Sequence, residues 1–571
     1  MRRIRESRIV PWLLSVILAL GPVAVAGADD RSDKLQKINH IVVIYQENHS
    51  FDNLYGGWEG VNGRANADAA HTQQINQSGA PFNCLLQDDV NLTSPSPLPT
   101  TCTETITLPA KTINSDLVNK PFSIDELIQP TDTTCPPLNG AFMANGYKKG
   151  TGQPGGCTRD LVHRFYQEPY QINGGQMNRY VTGSDAVGLV MGYYDTTKLP
   201  IYKYLHAPSH PKYAIADNFF QGAFGGSFLN HQWLIAAASP VFANAVQDGS
   251  SNDLHSIVDT NKFPNTYPLY TPTGAVKDSQ LTVKCSSPLV PGLACGDYAV
   301  NTTQPLFQPY SPGTAVAKRL PALTTQNIGD RLTAAGVDWA WYAGGWSNAD
   351  GDVGGPGWTN GTAAAATCSD PATLTGAVFP NCPNALFQFH HHPFNYFDAF
   401  NPGTPAGLAN RRAHLRDETE FMQLAQSSTQ KTCNLKPVSF VKAIGGDNEH
   451  PGYTGETGGS NHLVALIDAI VKTGCGKDTM IIVSYDEFGG QWDHVPPPGQ
   501  GNANGPSDQW GPGTRVPALI VTPFLRGNFV IDHTSYDTTS ILATVEKRFG
   551  LTALGSRDAA VADLSTVFDA K

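Results

Sequence analysis

Charged side chains are scarce: Asp, Glu, Lys and Arg make up only 15% of the 571 residues, and their balance is acidic, with a formal net charge of −11. A protein that holds nucleic acid by neutralising phosphates with Lys and Arg is therefore not expected. The ten cysteines include no CxxC pair, so a cysteine-held zinc site is not expected either. GxSxG, GxxxxGK[ST] and HExxH are all missing. Their absence sets aside an ordinary esterase, a P-loop NTPase and a zincin protease. No internal repeat or coiled-coil heptad is visible, and beyond residue 28 no apolar run is long enough to cross a bilayer.

Hydrophobic residues reach 40%, a globular proportion, while Gly 56 and Pro 42 imply many loops. The start, "MRRIRESRIVPWLLSVILALGPVAVAGADD", has a basic segment, a short apolar run and small residues before Asp29. It is expected to be a secretory signal peptide over residues 1–28, cut after Ala26 or Ala28, with the product periplasmic or secreted and without an integral membrane span. In an oxidising compartment the simplest pairing joins consecutive cysteines: Cys84–Cys102, Cys135–Cys157, Cys285–Cys295, Cys368–Cys382 and Cys433–Cys475.

Ile41–Tyr45 reads as a short buried strand, and "TMIIVSY" and "RVPALIVTPF" as two more, with a further strand over Tyr213–Asn218. Helices are expected after Gly175, from about Ser227, from near Ser460, and over "DTTSILATVEKRFG" with Gly550 as its stop. Apolar strands alternating with helices imply an α/β fold, a mainly parallel sheet covered on both faces. Three loop-rich, cysteine-bearing stretches read as long insertions, and residues 29–571 as a single catalytic domain.

Ligands of an open parallel sheet sit beyond the carboxyl ends of its strands. "IVVIY" runs into Gln46-Glu47-Asn48, and "MIIVS" into Tyr485-Asp486-Glu487. Either pair alone reads as a solvated loop or a turn cap. Two such pairs after two buried strands point to a divalent cation held by oxygens. Ser227, in "GGSFLNH", stands at the start of a helix behind two glycines, where backbone amides can meet an anion. A serine hydroxyl needs a base or a metal to become a nucleophile, and taken alone this one would be a helix cap. Of 16 histidines, His163, the triplet His390-His391-His392, His450 and His494 are flanked by Gly, Pro or aromatic residues, a setting suited to a phosphoryl pocket.

In order along the chain stand "QENHSFDNLYG", "NGGQMNRYV", "MGYYDTTKLPIY", "ADNFFQGAFGGSFLNH", "DNEHPGY", "YDEFGGQWDHVPPP" and "RVPALIVTPF". Together these seven blocks resemble the bacterial phosphoesterase family that unites acid phosphatase A with the metal-dependent phospholipases C. The resemblance runs from about Lys37 to the C-terminus. It implies an alkaline-phosphatase-like core and a divalent metal held by Glu47, Asn48, Ser227, Asp486 and Glu487. Ser227 is then also the nucleophile. Phospholipases of the family typically carry two aspartates where Asp486-Glu487 stands, so Glu487 departs from their pattern. The resemblance further implies phosphate-facing histidines at His163, His450 and either His390 or His391. Gly226 and Asn230 belong to the substrate-binding turn. Oxygen ligands suit magnesium, manganese or calcium, and zinc stays open.

Gly-Gly-Ser at the nucleophile, in place of the Gly-Pro-Thr usual in the phospholipases, favours the acid phosphatase branch. So does the end of the chain at "ADLSTVFDAK", where many longer phospholipases continue into small β domains. A sulfatase is set aside, because Ser227 is not followed by the Pro and Arg its aldehyde-forming motif requires. The expected activity is an exported, metal-dependent acid phosphatase acting on phosphomonoesters through a phosphoserine. The alternative is a phospholipase C cleaving phosphatidylcholine-type lipids.

Overall fold

The computed structural model describes residues 26–86, 104–107, 112–125, 160–259, 262–263, 277–288, 292–311, 313–359, 383, 386–453 and 455–570. Eight strands form the central sheet. In chain order they are β1 (His40–Gln46), β2 (Tyr213–Ala216), β3 (Trp339–Ala343), β4 (Leu415–Asp417), β5 (Val438–Lys442), β6 (Thr479–Tyr485), β7 (Ala518–Val521) and β8 (Phe529–Asp532). Across the sheet they lie β4-β3-β5-β1-β6-β7-β2-β8. All neighbours run parallel except where β7 meets β6 and β2. Every residue of β5 and β6 is buried, and all of β1 but His40. Successive side chains point to opposite faces, so burial without alternation means that both faces of the sheet centre are covered. One hydrophobic cluster runs from Leu35 to Phe568.

Register places the chemistry. Gln46 pairs with Tyr485, so Glu47 and Asp486 leave the sheet side by side. On the other flank Ile44 pairs with Val441, which brings Lys442 level with Tyr45 at the same edge. The helix Ser227–Ala236 starts just beyond β2 and the two-residue strand Phe219–Phe220, and the helix Thr539–Phe549 ends at Gly550 in a left-handed conformation, as expected.

Two expected helices differ. None follows Gly175; the helix precedes it, at Gln167–Ile172. Asn173, Gly174, Gly175 and Met177 all have positive φ, so "NGG" stops a helix rather than starting one. The helix expected near Ser460 begins at Glu456 and runs to Val471. Its early glycines permit contact: a Cβ on Gly459 would stand 2.4 Å from the Glu449 nitrogen. Cys285–Cys295 and Cys433–Cys475 are bridged as expected. Cys84 is also in a disulfide, while Cys102, Cys135, Cys157, Cys368 and Cys382 lie outside the described residues. So does the expected leader as far as residue 25. Among the described residues no helix is long and apolar enough to cross a membrane.

The helix Glu418–Ser427 is tied to the Glu456–Val471 helix by His462 Nε2, 2.7 Å from Glu418 Oε1. Burial lowers the imidazole pKa, but Glu418 and then Asp447 outweigh it and raise His462 from 6.5 to about 9. A raised folded-state value means full stabilisation below pH 6.5, lost as pH rises through about 9. Urea unfolding should therefore lose on the order of 2–3 kcal/mol across that interval. Glu418→Gln should flatten the loss.

Candidate active site

Glu47, Asn48, Ser227, Asp486 and Glu487 meet at the edge of the sheet, all buried. Ser227 is the first residue of its helix, and its Oγ donates to Glu47 Oε2 at 3.1 Å. Asp486 Oδ1 accepts from the amides of Asn48 (3.2 Å) and Glu487 (2.8 Å). Glu487 Oε2 accepts from the Gly489 amide, while its Oε1 stands 3.3 Å from His163 Nε2. Burial is the first cause raising the pKa of all three carboxylates. Asp486 adds repulsion for Glu47 and Glu487.

Lys442, at the end of β5, answers part of this charge. Its Nζ donates to Glu47 Oε1 and, at 3.0 Å, to the Tyr45 carbonyl. With all three carboxylates ionised, one ammonium would leave two negative charges, which one divalent cation would balance. Donor chemistry fits as well. Asn48 Oδ1, Asp486 Oδ2 and Glu487 Oε1 are buried without hydrogen-bond partners, the condition of oxygens placed for a hard cation. His450 sets the Asn48 amide. Its Nδ1–H donates to the Pro451 carbonyl at 2.7 Å, so its Nε2 accepts from Asn48 Nδ2 at 3.1 Å and Asn48 Oδ1 is left for a ligand.

Above Ser227 opens a cavity of about 680 Å³. His163, His390 and His450 line it, with Gly226 on its floor. Gly226 is a contact requirement, since a Cβ there would stand 2.8 Å from His163 Cδ2. Burial lowers the pKa of all three histidines, His390 to about 3, with Lys442 and His163 adding repulsion at His390.

The two candidates left open in the triplet separate here. His390 lines the cavity, whereas His391 is buried with Nε2 3.4 Å from Glu47 Oε1. His392 stacks on Phe387. Asn230 does not line the cavity. Its Oδ1 accepts from Ala223 N, and its Nδ2 donates to the carbonyls of Ala223, Gly225 and Gly226, so it braces the turn. His494 belongs to another buried cluster, in which Asp52 and Asp493 are met by Arg515.

Sequence reasoning missed Lys442, His231 and Glu168. His231 Nδ1–H donates to the Ser227 carbonyl at 2.7 Å, its ring lies parallel to His391 at 4.9 Å, and its Nε2 is unpartnered 3.9 Å from Glu47 Oε1. Glu47, His231 and His391 together form a buried group able to hold a metal ion. The i, i+4 spacing of Ser227 and His231 on one helix was the available signal. A lysine closing the apolar run "VSFVK" was the signal for Lys442. Glu168 had none.

Lys442→Met removes the buried partner of Glu47. In chelator it should lose about 3 kcal/mol of unfolding free energy, and saturating divalent cation should narrow that difference. Denaturant titrations with and without metal measure both.

The phosphoesterase family model matches residues 38–552. Phospholipase C B of Mycobacterium tuberculosis is 34% identical over 151 residues, 21% of this chain and 27% of that protein. Non-specific phospholipase C6 of Arabidopsis thaliana is 26% identical over 212 residues, 34% of this chain and 38% of that protein. The chain thus matches well under half the length of either relative. A protein in the alkaline phosphatase superfamily from Vibrio parahaemolyticus overlays 44% of this chain and 55% of its own at 17% identity and a TM-score of 0.20, too loosely to bear on the fold. The extent of the family match, nine-tenths of the sequence and spanning all seven motif blocks, is decisive: the chain belongs to the phosphoesterase family.

Proposed function

We propose that this protein is an exported, metal-dependent hydrolase of phosphate monoesters that works through a phosphoserine at Ser227, with residues 29–571 acting as one catalytic unit. The observation that carries the reading is the Ser227 hydroxyl, 3.1 Å from Glu47 Oε2 at the floor of a cavity that His163, His390 and His450 also line. Glu47, Asn48, Ser227, Asp486 and Glu487 would hold the cation, with magnesium, manganese or calcium suiting their oxygens. When bound, it supplies positive charge that lowers the serine pKa and offsets charge on the phosphoryl oxygens.

Ser227 Oγ, its proton drawn towards Glu47, attacks phosphorus in line as the ester P–O bond breaks. The departing oxygen takes a proton from an imidazole. His390 is the best placed, because it faces the cavity while the Nε2 of His450 is occupied by Asn48. Water then attacks the phosphoserine and releases phosphate. Gly225 and Gly226 let the turn approach an anion closely.

A phospholipase C reading is favoured by the names of the relatives. Polar residues such as Arg164, Asp185, Gln280, Asn301 and Gln304 line the cavity beside Leu161, Phe387 and Phe389, and none of the exposed large apolar side chains of the described residues lines it. That lining favours a water-soluble monoester over an acyl-bearing lipid.

A panel of p-nitrophenyl phosphate and phosphatidylcholine vesicles, each with and without chelator, tests the choice. The monoester should turn over faster, and chelator should abolish the reaction. Ser227→Ala should lower kcat on p-nitrophenyl phosphate by at least ~10³-fold. Full activity in that variant overturns the mechanism, and preference for the lipid overturns the substrate class.

A further inference from the structure

Glu168 sits in "HRFYQEPY", five residues after His163, on the short helix Gln167–Ile172, and is fully buried. Its carboxylate is met by donors alone. Oε2 accepts from the Gly225 amide at 2.6 Å and from Gln221 Nε2 at 2.9 Å. Oε1 accepts from the Thr514 amide at 2.6 Å. Gln221 extends the tie: Nε2 also donates to the carbonyls of Ala223 and Gly225, and Oε1 accepts from the Phe488 amide at 3.0 Å. Space confirms how closely the group is enclosed. A Cβ on Gly513 would stand 2.5 Å from Glu168 Oε1 and 2.7 Å from Gln221 Cγ.

Four segments therefore meet at one carboxylate: its own, which also carries His163, the glycine turn that carries Ser227, the segment of Thr514, and, through Gln221, the loop that carries Asp486 and Glu487. We propose that Glu168 is a positioning residue for the reaction. It fixes the Gly225 peptide and so the attack position of Ser227 Oγ, while Gln221 locks that turn to the acidic loop. The inference rests on the phosphoserine reading above. It assigns Glu168 no contact with substrate.

Glu168→Gln has the right shape and the wrong polarity. Whichever way its amide is turned, an NH2 group faces a backbone N–H, of Gly225 or of Thr514. Assay of the full-length, metal-loaded protein on p-nitrophenyl phosphate should show kcat lowered about 100-fold, as a nucleophile displaced by about 1 Å implies, with KM within about threefold of the parent. Orthovanadate, which needs the nucleophile in line, should weaken as an inhibitor far more than inorganic phosphate does. Glu168→Asp, which keeps the charge, should recover part of kcat. Gln221→Ala, which removes the tie to Phe488, the bonds to the Ala223 and Gly225 carbonyls and one donor to Glu168 Oε2 but leaves the Gly225 and Thr514 amides on Glu168, should show the same split more weakly and serves if Glu168→Gln does not fold.

A folded Glu168→Gln with kcat within threefold of the parent, or with KM and kcat falling together and vanadate and phosphate weakened alike, overturns the proposal. So does failure of both Glu168→Gln and Gln221→Ala to fold, which assigns the group to stability alone. A parent protein inert on every phosphate ester would instead remove the functional reading itself, and that result is read before any variant is made.

Discussion

Glu47, Asp486 and Glu487 are buried next to one another, and water reaches none of them. Taking one carboxylate out of water is unfavourable by several kcal/mol, and like charges raise that further. The sheet leaves little freedom to avoid it. Once Gln46 pairs with Tyr485, the following residues must emerge together. Lys442 offsets one charge from the neighbouring strand, and with all three carboxylates ionised two negative charges would remain, a demand that a divalent cation would meet. The unpartnered oxygens of Asn48, Asp486 and Glu487 express the same demand in hydrogen-bonding terms.

Backbone conformation serves this constraint. Asn48 and Glu449 have φ of 60° and 69°, a region that side chains other than glycine enter only under compensation. At Asn48 the compensation is visible: its amide donates to Asp486 and its side chain to His450. Glu449 is held on both sides. Tyr485 OH donates to its carboxylate, and His49 Nε2 lies 2.9 Å from its carbonyl. Both strained residues are thus held by groups from other strand ends.

The sequence made the strand ends legible because buried parallel strands are continuous apolar runs, and an acid directly after such a run is conspicuous. Glu47, Asn48, Asp486 and Glu487 stood out on that ground, and Ser227 on its glycines. Glu168 was not legible, and the local signals at Lys442 and His231 did not single them out, because the meaning of all three is tertiary. Lys442 matters through a register with β1 from which it is separated by almost 400 positions, and Glu168 through turns far from it in sequence. The misplaced helix at Gly175 has a local cause. Asn and two glycines in succession more often close a helix through left-handed residues, as Asn173, Gly174 and Gly175 do here. The triplet shows the limit of motif reading, since adjacent histidines in a tight turn face different ways and composition alone cannot say which one meets the cavity.

Burial disfavours imidazolium at each histidine lining the cavity, lowering His390 to about 3, and Lys442 adds repulsion at His390 and His450. A neutral ring has no proton to spare for the ester oxygen beyond the one that fixes its tautomer. The missing charge must come from the ligand. A phosphate monoester brings up to two negative charges into the cavity that these rings line, and each favours protonation of an adjacent imidazole. A phosphodiester such as a lipid headgroup brings one. Coulomb energy at fixed distance scales with the product of charges, so before any offset by a bound cation a dianionic monoester would favour its own general acid about twice as strongly. On this argument the proposed preference for monoesters would need no contact with the leaving group: it would follow from histidines whose protonation depends on the charge of the bound phosphate.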